Sequence, residues 1–356
     1  MAAGGKRKVI ESITVGDFLK RHGDDLELTI EEPAIGLDRL IEEPAVNRPG
    51  LALAGFVDYF AKKRVQAFGN SENSYLEKLP DELRLERFTM LCKQDFPCLI
   101  LARGHNIIPA LHEVARAQNI AVLHSPRQTM SVLNAATIRL EEEFAPRTTL
   151  HGCMVDYRGI GVLIMGKSGS GKSETAIGLL EKGAALVADD VVNLKQVGSD
   201  LSATAKNFAR GYLEMRGVGI INVANLYGLS AIRPEKRLDL VVELKPETDL
   251  NKVDRLGMSQ KSLQILDTEV PLVEIPVAAG RDTARLIGVA ALNLQLRRLG
   301  YDMADEFTKR IKLEVQDTRD KLMQTEDADK WLEYYLDVKP NISVKDKLLT
   351  VELLTD

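Results

Sequence analysis

The stretch "GVLIMGKSGSGKSETA" (161–176) contains G-x-x-x-x-G-K-[ST], with Gly166, Gly171, Lys172 and Ser173 in the defining places. Backbone N–H groups can converge on phosphate oxygens only where no side chain blocks them, and Gly166, Gly169 and Gly171 provide that access. Lys167, Ser168 and Ser170 complete the cradle. Lys172 brings a point charge to the terminal phosphates, and the Ser173 hydroxyl is placed to ligate Mg2+. An apolar strand precedes the loop and a helix opens near Lys172, whose N-terminus adds its positive end. That context favours nucleotide or polyphosphate binding over a merely flexible Gly/Ser turn.

Binding a phosphate is not transferring it, so a proton acceptor and a metal carboxylate are needed. Asp189 and Asp190 end the next apolar run, "AALVADDVVNL", which is expected to lie beside the loop strand in the sheet, at the edge where such sheets bind ligands. One carboxylate could act on Mg2+ through water while the other takes a proton from an incoming hydroxyl. Alone, the pair could equally be a solvated acidic turn. His151 stands just ahead of the loop strand, where folding could bring it to the site or leave it in a connection. Glu214 and Arg216 lie among glycines in "ARGYLEMRGVGIINV" (209–223), a setting that suits either close approach to a ligand or a tight loop with an internal ion pair.

The elements that must position these residues fit a chain of two domains. At 356 residues, with 45% hydrophobic and 28% charged residues, the sequence has the composition of ordinary α/β proteins. A net charge of −5 argues against a nucleic-acid partner. No apolar run approaches the roughly 20 residues needed to span a bilayer. Cys92, Cys98 and Cys153 have no paired metal spacing, and no secretory signal opens the chain, so free thiols and a cytoplasmic location are expected.

In the first half, "GLALAGF" (50–56), "FPCLILARG" (96–104) and "NIAVLHS" (119–125) have the apolar cores of buried strands. The helical spacing of "IIPALHEVARAQ" between the last two predicts a parallel α/β unit. His105, His112 and His124 lack carboxylates at ligand spacing and are expected to be packed or on the surface. "LEEEFAPRTTLHG" (140–152) marks the connection between domains. In the second half, strands are expected at 238–244 and at 270–277, with a long helix over 283–299 stopped at Gly300. Beyond residue 312 the spacing predicts a helix around Trp331 and a strand in "LLTVELL". The expected divisions are 1–142, 143–312 and an extension, 313–356.

Four segments in order, "APRTTLHG", "GKSGSGKSETA", "LVADD" and "ARGYLEMRGVGIINV", give this chain a close resemblance to the bacterial HPr kinase/phosphorylase family, and "DRLG" (254–257) and "IPVAAGR" (275–281) extend it. The resemblance implies an N-terminal α/β domain and a C-terminal P-loop kinase domain resembling phosphoenolpyruvate carboxykinase, assembled as a homohexamer. It implies transfer of the γ-phosphate of ATP, or a phosphate of pyrophosphate, to a serine of the phosphocarrier HPr. The reverse-type reaction is phosphorolysis of the phosphoserine by inorganic phosphate. In that family Lys172 would bind phosphate, Ser173 and Glu214 would hold Mg2+, and Asp190 would accept the proton. Asp189 would support the metal or its partner aspartate. His151 and Arg255 match further catalytic positions, and 213–222, with Leu213, Arg216, Gly217, Gly219 and Asn222, matches a shared catalytic segment.

Two departures stand out. The family segment tied to dephosphorylation reads P-V-R-P-G-R-N, whereas here Pro276, Gly280 and Arg281 are retained within "PVAAGRD" (276–282), which loses an Arg and a Pro and exchanges Asn for Asp. Kinase activity is therefore expected to exceed phosphorylase activity. Family chains also end soon after a helix that here is expected to close near Lys312, leaving an appendage. Two other readings remain: a P-loop kinase of a small metabolite, disfavoured by "EMRGVGIINV", and a nucleotide-sensing module that does not transfer phosphate.

Overall fold

The computed structural model describes residues 6–246, 261–278, 280–323, 342–345 and 348–351. The chain divides into a unit at residues 7–147 and a second built from 148 onward.

In the first unit, Val46–Asn47, Val65–Phe68, Cys98–Leu101 and Ala121–His124 pair in parallel, and Thr29–Ile30 adds an antiparallel edge beside the last. Successive side chains of a strand point to opposite faces, so a sheet covered on both sides reads as a continuous apolar run. Cys98 and Ile100 join one core with helices Val15–Leu26 and Thr129–Phe144, while Leu99 and Leu101 join the other with Asn70–Lys78, Asp81–Cys92 and Pro109–Ala117. The expected strand, helix and strand over 96–125 form as read, with Pro109 in the helix's first turn. "GLALAGF" does not form a strand: Gly50–Leu53 is a short helix, with the Leu53 N–H donating to the Pro49 carbonyl at 2.9 Å. Leu and Ala are strong helix formers, and nothing in "LALA" is β-branched. His105 bonds Asn70 at 2.9 Å, and His124 lies against the His105 carbonyl and Glu31.

The second unit is built on a six-stranded mixed sheet in the order Ala185–Ala188, Cys153–Tyr157, Ile160–Gly166, Leu240–Pro246, Thr268–Val277, Lys261–Ile265. One face carries helices Lys172–Glu181 and Thr283–Arg298, and the other packs on a sheet of Glu235–Arg237, Asp200–Thr204, Val191–Val197 and Arg147–His151. A hairpin, Tyr212–Met215 with Gly219–Asn222, stands apart from both sheets.

Two expectations are corrected here. The strand ahead of the aspartate pair does not adjoin the loop strand, because Cys153–Tyr157 lies between them. Arg158 and Gly159, with φ of 51° and 87°, make a tight turn that folds Cys153–Tyr157 directly back on Ile160–Gly166 and takes that place. Two antiparallel steps still leave Ala185–Ala188 running with the loop strand, so both deliver their following residues to one sheet edge. Nor does the last helix close near Lys312: after Gly300, Met303–Met323 runs through the expected 312/313 division. Leu348–Val351 is a strand paired with Ile342–Lys345. Trp331 and its expected helix lie outside the described residues. Among the described residues no helix is long and apolar enough to cross a membrane.

Candidate active site

Residues 167–171 join the strand Ile160–Gly166 to the helix Lys172–Glu181. Gly166 has φ 155°, and a Cβ there would stand 2.6 Å from Ser170 Oγ and 3.1 Å from Leu244 Cβ. The loop turns too tightly over the neighbouring strand for any other residue. Gly171 occupies the N-cap without a side-chain hydrogen bond, so the first amides of the helix have no side-chain cap and are free to meet an anion. Lys172 Nζ donates to the carbonyls of Gly166 and Lys167, both at 3.2 Å, which holds the ammonium over the loop. Ser170 Oγ is buried and has no protein partner.

The two aspartates turn in opposite directions. Asp190 has φ 64°, in the left-handed region, so its side chain diverges from that of Asp189. Asp189 faces inward, and its Oδ2 accepts the Glu214 N–H at 3.1 Å. Burial pushes the Asp189 carboxyl above its ordinary range, opposed by the hydrogen bond from the Glu214 amide. Asp190 faces outward, with Oδ1 3.0 Å from His151 Nδ1. The Gly152 N–H donates to the Asp190 carbonyl at 3.1 Å and ties the two segments together. A Cβ on Gly152 would lie 2.6 Å from the Ile164 carbonyl, so only glycine lets the chain pass from His151 into the sheet here. His151 thus lies beside Asp190.

Glu214 reaches the site on the hairpin. Leu213, Met215 and Ile221 point into the core, and the opposite face exposes Glu214 with its cross-strand partner Ile220. Gly217 and Gly219 lie in and beside the turn, and Asn222 caps the next helix by accepting the Asn225 N–H at 3.0 Å. Arg216 donates to Ser168 Oγ at 3.4 Å, which sets a second cation beside the phosphate loop. Pro276 lies on the same sheet edge, two strands from the loop, at a level one residue beyond Gly166. Gly280 and Arg281 follow it, and Asp282 caps the next helix through the Arg285 N–H at 2.8 Å while pairing with Lys182 at 3.4 Å. Arg255 lies outside the described residues. Cys153, which opens the strand after His151 and Gly152, is a free thiol buried in the core, as expected.

A cradle of backbone amides, two flanking cations, an orphaned buried hydroxyl and three carboxylates suit a polyphosphate carried with a divalent cation. Residues 142–311 match the family described as HPr Serine kinase C-terminal domain, and residues 13–140 match HPr Serine kinase N terminus. The HPr kinase/phosphorylase of Brevibacillus brevis is 41% identical over 288 residues, covering 81% of this chain and 93% of that protein. The HPr kinase/phosphorylase of Bacillus subtilis is 40% identical over 283 residues, covering 79% and 91%. The solved Hpr(Ser) kinase/phosphatase from Coxiella burnetii is 33% identical, covering 45% of this chain and 97% of that one, with a TM-score of 0.41. On the two matches that together take in most of its length, the chain belongs to the HPr serine kinase family.

Proposed function

We propose that this protein is an HPr kinase/phosphorylase that moves the γ-phosphate of ATP, or a phosphate of pyrophosphate, to a serine of HPr or an HPr-like protein. The observation that carries the reading is Asp190, directed outward beside His151 on the sheet edge that bears the phosphate loop. The loop amides, Lys172 and Arg216 bind and orient the phosphates. Ser173 and Glu214 would hold Mg2+, which when bound offsets the charge of the phosphate oxygens. Asp190 accepts the proton of the serine hydroxyl as its oxygen bonds to phosphorus. His151 fixes the direction of that carboxylate. Asp189, turned inward, sets the hairpin that presents Glu214.

In phosphorolysis the same groups work in reverse. An oxygen of inorganic phosphate bonds to the phosphorus, the serine O–P bond breaks, and Asp190 returns a proton to the serine oxygen. Pyrophosphate leaves, and the proton lost by inorganic phosphate restores the balance. With Arg281 the sole basic residue of "PVAAGRD", this direction is the slower one.

A protein acceptor fits the openness of the site. His151 and Asp190 are 56% and 70% exposed, and Val218 and Ile220 present apolar side chains on the hairpin beside them. A small metabolite would require enclosure by the kinase itself, whereas a protein's serine brings its own surroundings. Cytoplasmic location, a homohexamer and a role in carbon catabolite regulation complete the reading. Incubation with labelled ATP, Mg2+ and purified HPr-like proteins, followed by mapping of the labelled residue, tests it: label on a serine is expected, and label confined to a small molecule would reject it.

A further inference from the structure

The hairpin of Tyr212–Met215 and Gly219–Asn222 pairs with neither sheet, so its tip is placed by what the turn residues touch. Its base is fixed, with Leu213 buried in the core and the Glu214 N–H donated to Asp189 Oδ2 at 3.1 Å. Arg216, Gly217 and Val218 form the turn, closed by the Val218 N–H donating to the Met215 carbonyl at 3.2 Å, with Gly217 at φ 82°. From this turn the Arg216 guanidinium lies on the phosphate loop. It donates to Ser168 Oγ at 3.4 Å, and a Cβ on Gly169 would stand 3.2 Å from Arg216 Nη1. The internal ion pair that the sequence left open does not form, since among the described residues no carboxylate pairs with Arg216. Just beyond it, Val218 and Ile220 are exposed. One unpaired cation therefore joins the loop that would hold the donor's phosphates to the apolar tip beside Asp190.

We infer that Arg216 couples the two substrates: phosphate in the loop adds its oxygens to the guanidinium's contact with Ser168, which holds the hairpin tip and raises affinity for the acceptor protein met by Val218 and Ile220. The acceptor half rests on the function proposed above, while the holding of the tip by an anion in the loop does not. A guanidinium suits the task because its planar fork carries five donors, enough to keep the Ser168 contact and bind phosphate oxygens together. A single hydroxyl contact of 3.4 Å holds the tip loosely, and an ionised phosphate oxygen makes a shorter and stronger bond. Gly217 gives the turn room to adjust. Coupling of this kind is reciprocal, so the acceptor must raise donor affinity by the same factor.

The test is amide hydrogen exchange on the full-length protein with no acceptor present, read at Val218 relative to the central strand Leu240–Pro246. It is run with and without a saturating non-hydrolysable ATP analogue and Mg2+. In the parent the analogue is expected to slow exchange at Val218 by about 5- to 20-fold, and in Arg216→Met, with the loop equally filled, by less than about 2-fold. Affinity for a purified HPr-like protein, from calorimetric titration, should improve with the analogue by about 5- to 10-fold in the parent and by less than about 2-fold in Arg216→Met. Titrating the analogue into the acceptor-bound parent should return the same factor. Equal slowing at Val218 in parent and variant overturns the inference, as does parent affinity for the acceptor that is indifferent to the analogue. An Arg216→Met variant that binds no analogue while its central strand stays protected would make the guanidinium part of the cradle itself, and overturns it too. A parent that slows as expected at Val218 but binds no HPr-like protein would reject the proposed acceptor and leave the holding of the tip standing.

Discussion

Asp190 Oδ1 lies 3.0 Å from His151 Nδ1, at the rim of the sheet edge that also carries the phosphate loop. The left-handed backbone of Asp190 makes this possible, because it turns the second of two adjacent aspartates away from the first. Two residues that look interchangeable in sequence are thereby given different surroundings, one half-buried against the hairpin and one exposed.

On the proposed mechanism, His151 orients the base without itself taking the serine proton. His151→Ala should lower kcat by about 10- to 100-fold, below the full worth of general-base catalysis, and leave the KM for ATP unchanged. Steady-state kinetics with saturating acceptor protein check this. An equal rise in the KM for ATP would place His151 on the nucleotide instead.

Gly166→Ala puts a methyl group against Ser170 Oγ and Leu244, at 2.6 and 3.1 Å. The loop must open to admit it, which should weaken ATP binding by about 5- to 150-fold, the equivalent of the 1–3 kcal/mol typical of overpacking strain. Calorimetric titration of ATP with Mg2+ measures the loss. The fold should survive, since the strain falls on the loop and on Leu244 alone among the core residues.

Asp189 has a carboxyl raised by burial, so its contribution to stability is greatest when protonated and declines as pH rises through its folded-state value. Asp189→Asn keeps an acceptor for the Glu214 N–H and removes the buried charge. Its Tm should match the parent near pH 4 and equal or exceed it at pH 7, while transfer activity falls. A variant less stable than the parent at pH 7, on thermal scans across that range, would mean that the carboxylate's hydrogen bonds outweigh its desolvation.

Within "PVAAGRD", Ala278→Arg together with Asp282→Asn restores two features of the family segment. An added guanidinium near the site should raise the phosphorolysis rate relative to the kinase rate by about 10-fold, the scale of one charge-assisted hydrogen bond. Asn remains a good N-cap, so Tm should change little although the exposed pair with Lys182 is lost. Pyrophosphate release from phospho-HPr, measured beside forward transfer, gives the ratio.

Much of this architecture is legible in the residues, and the exceptions have physical causes. The loop, its strand and its helix follow from the glycine spacing, and the N-terminal strands at 98–101 and 121–124 follow from runs of residues buried on both faces. "GLALAGF" misleads because apolar composition alone does not separate a short helix from a strand. The place of Cys153–Tyr157 between the two site strands is hidden because neighbouring in sequence rank does not fix neighbouring in a sheet. A two-residue turn at Arg158–Gly159 decided it. Membership of His151, Asp190 and Glu214 in one site depends on three separate chain segments meeting at an edge. Spacing does not encode that meeting, and the resemblance supplied it.

On the proposed mechanism Asp190, and not Asp189, takes the serine proton. Single-turnover transfer from ATP to the acceptor protein by Asp190→Asn measures it most directly, with ATP binding determined in parallel. A loss of about 10²- to 10⁴-fold in the transfer rate is expected, with ATP affinity within about 3-fold of the parent and a matching loss in phosphorolysis. Transfer by Asp190→Asn at a parent-like rate would contradict it.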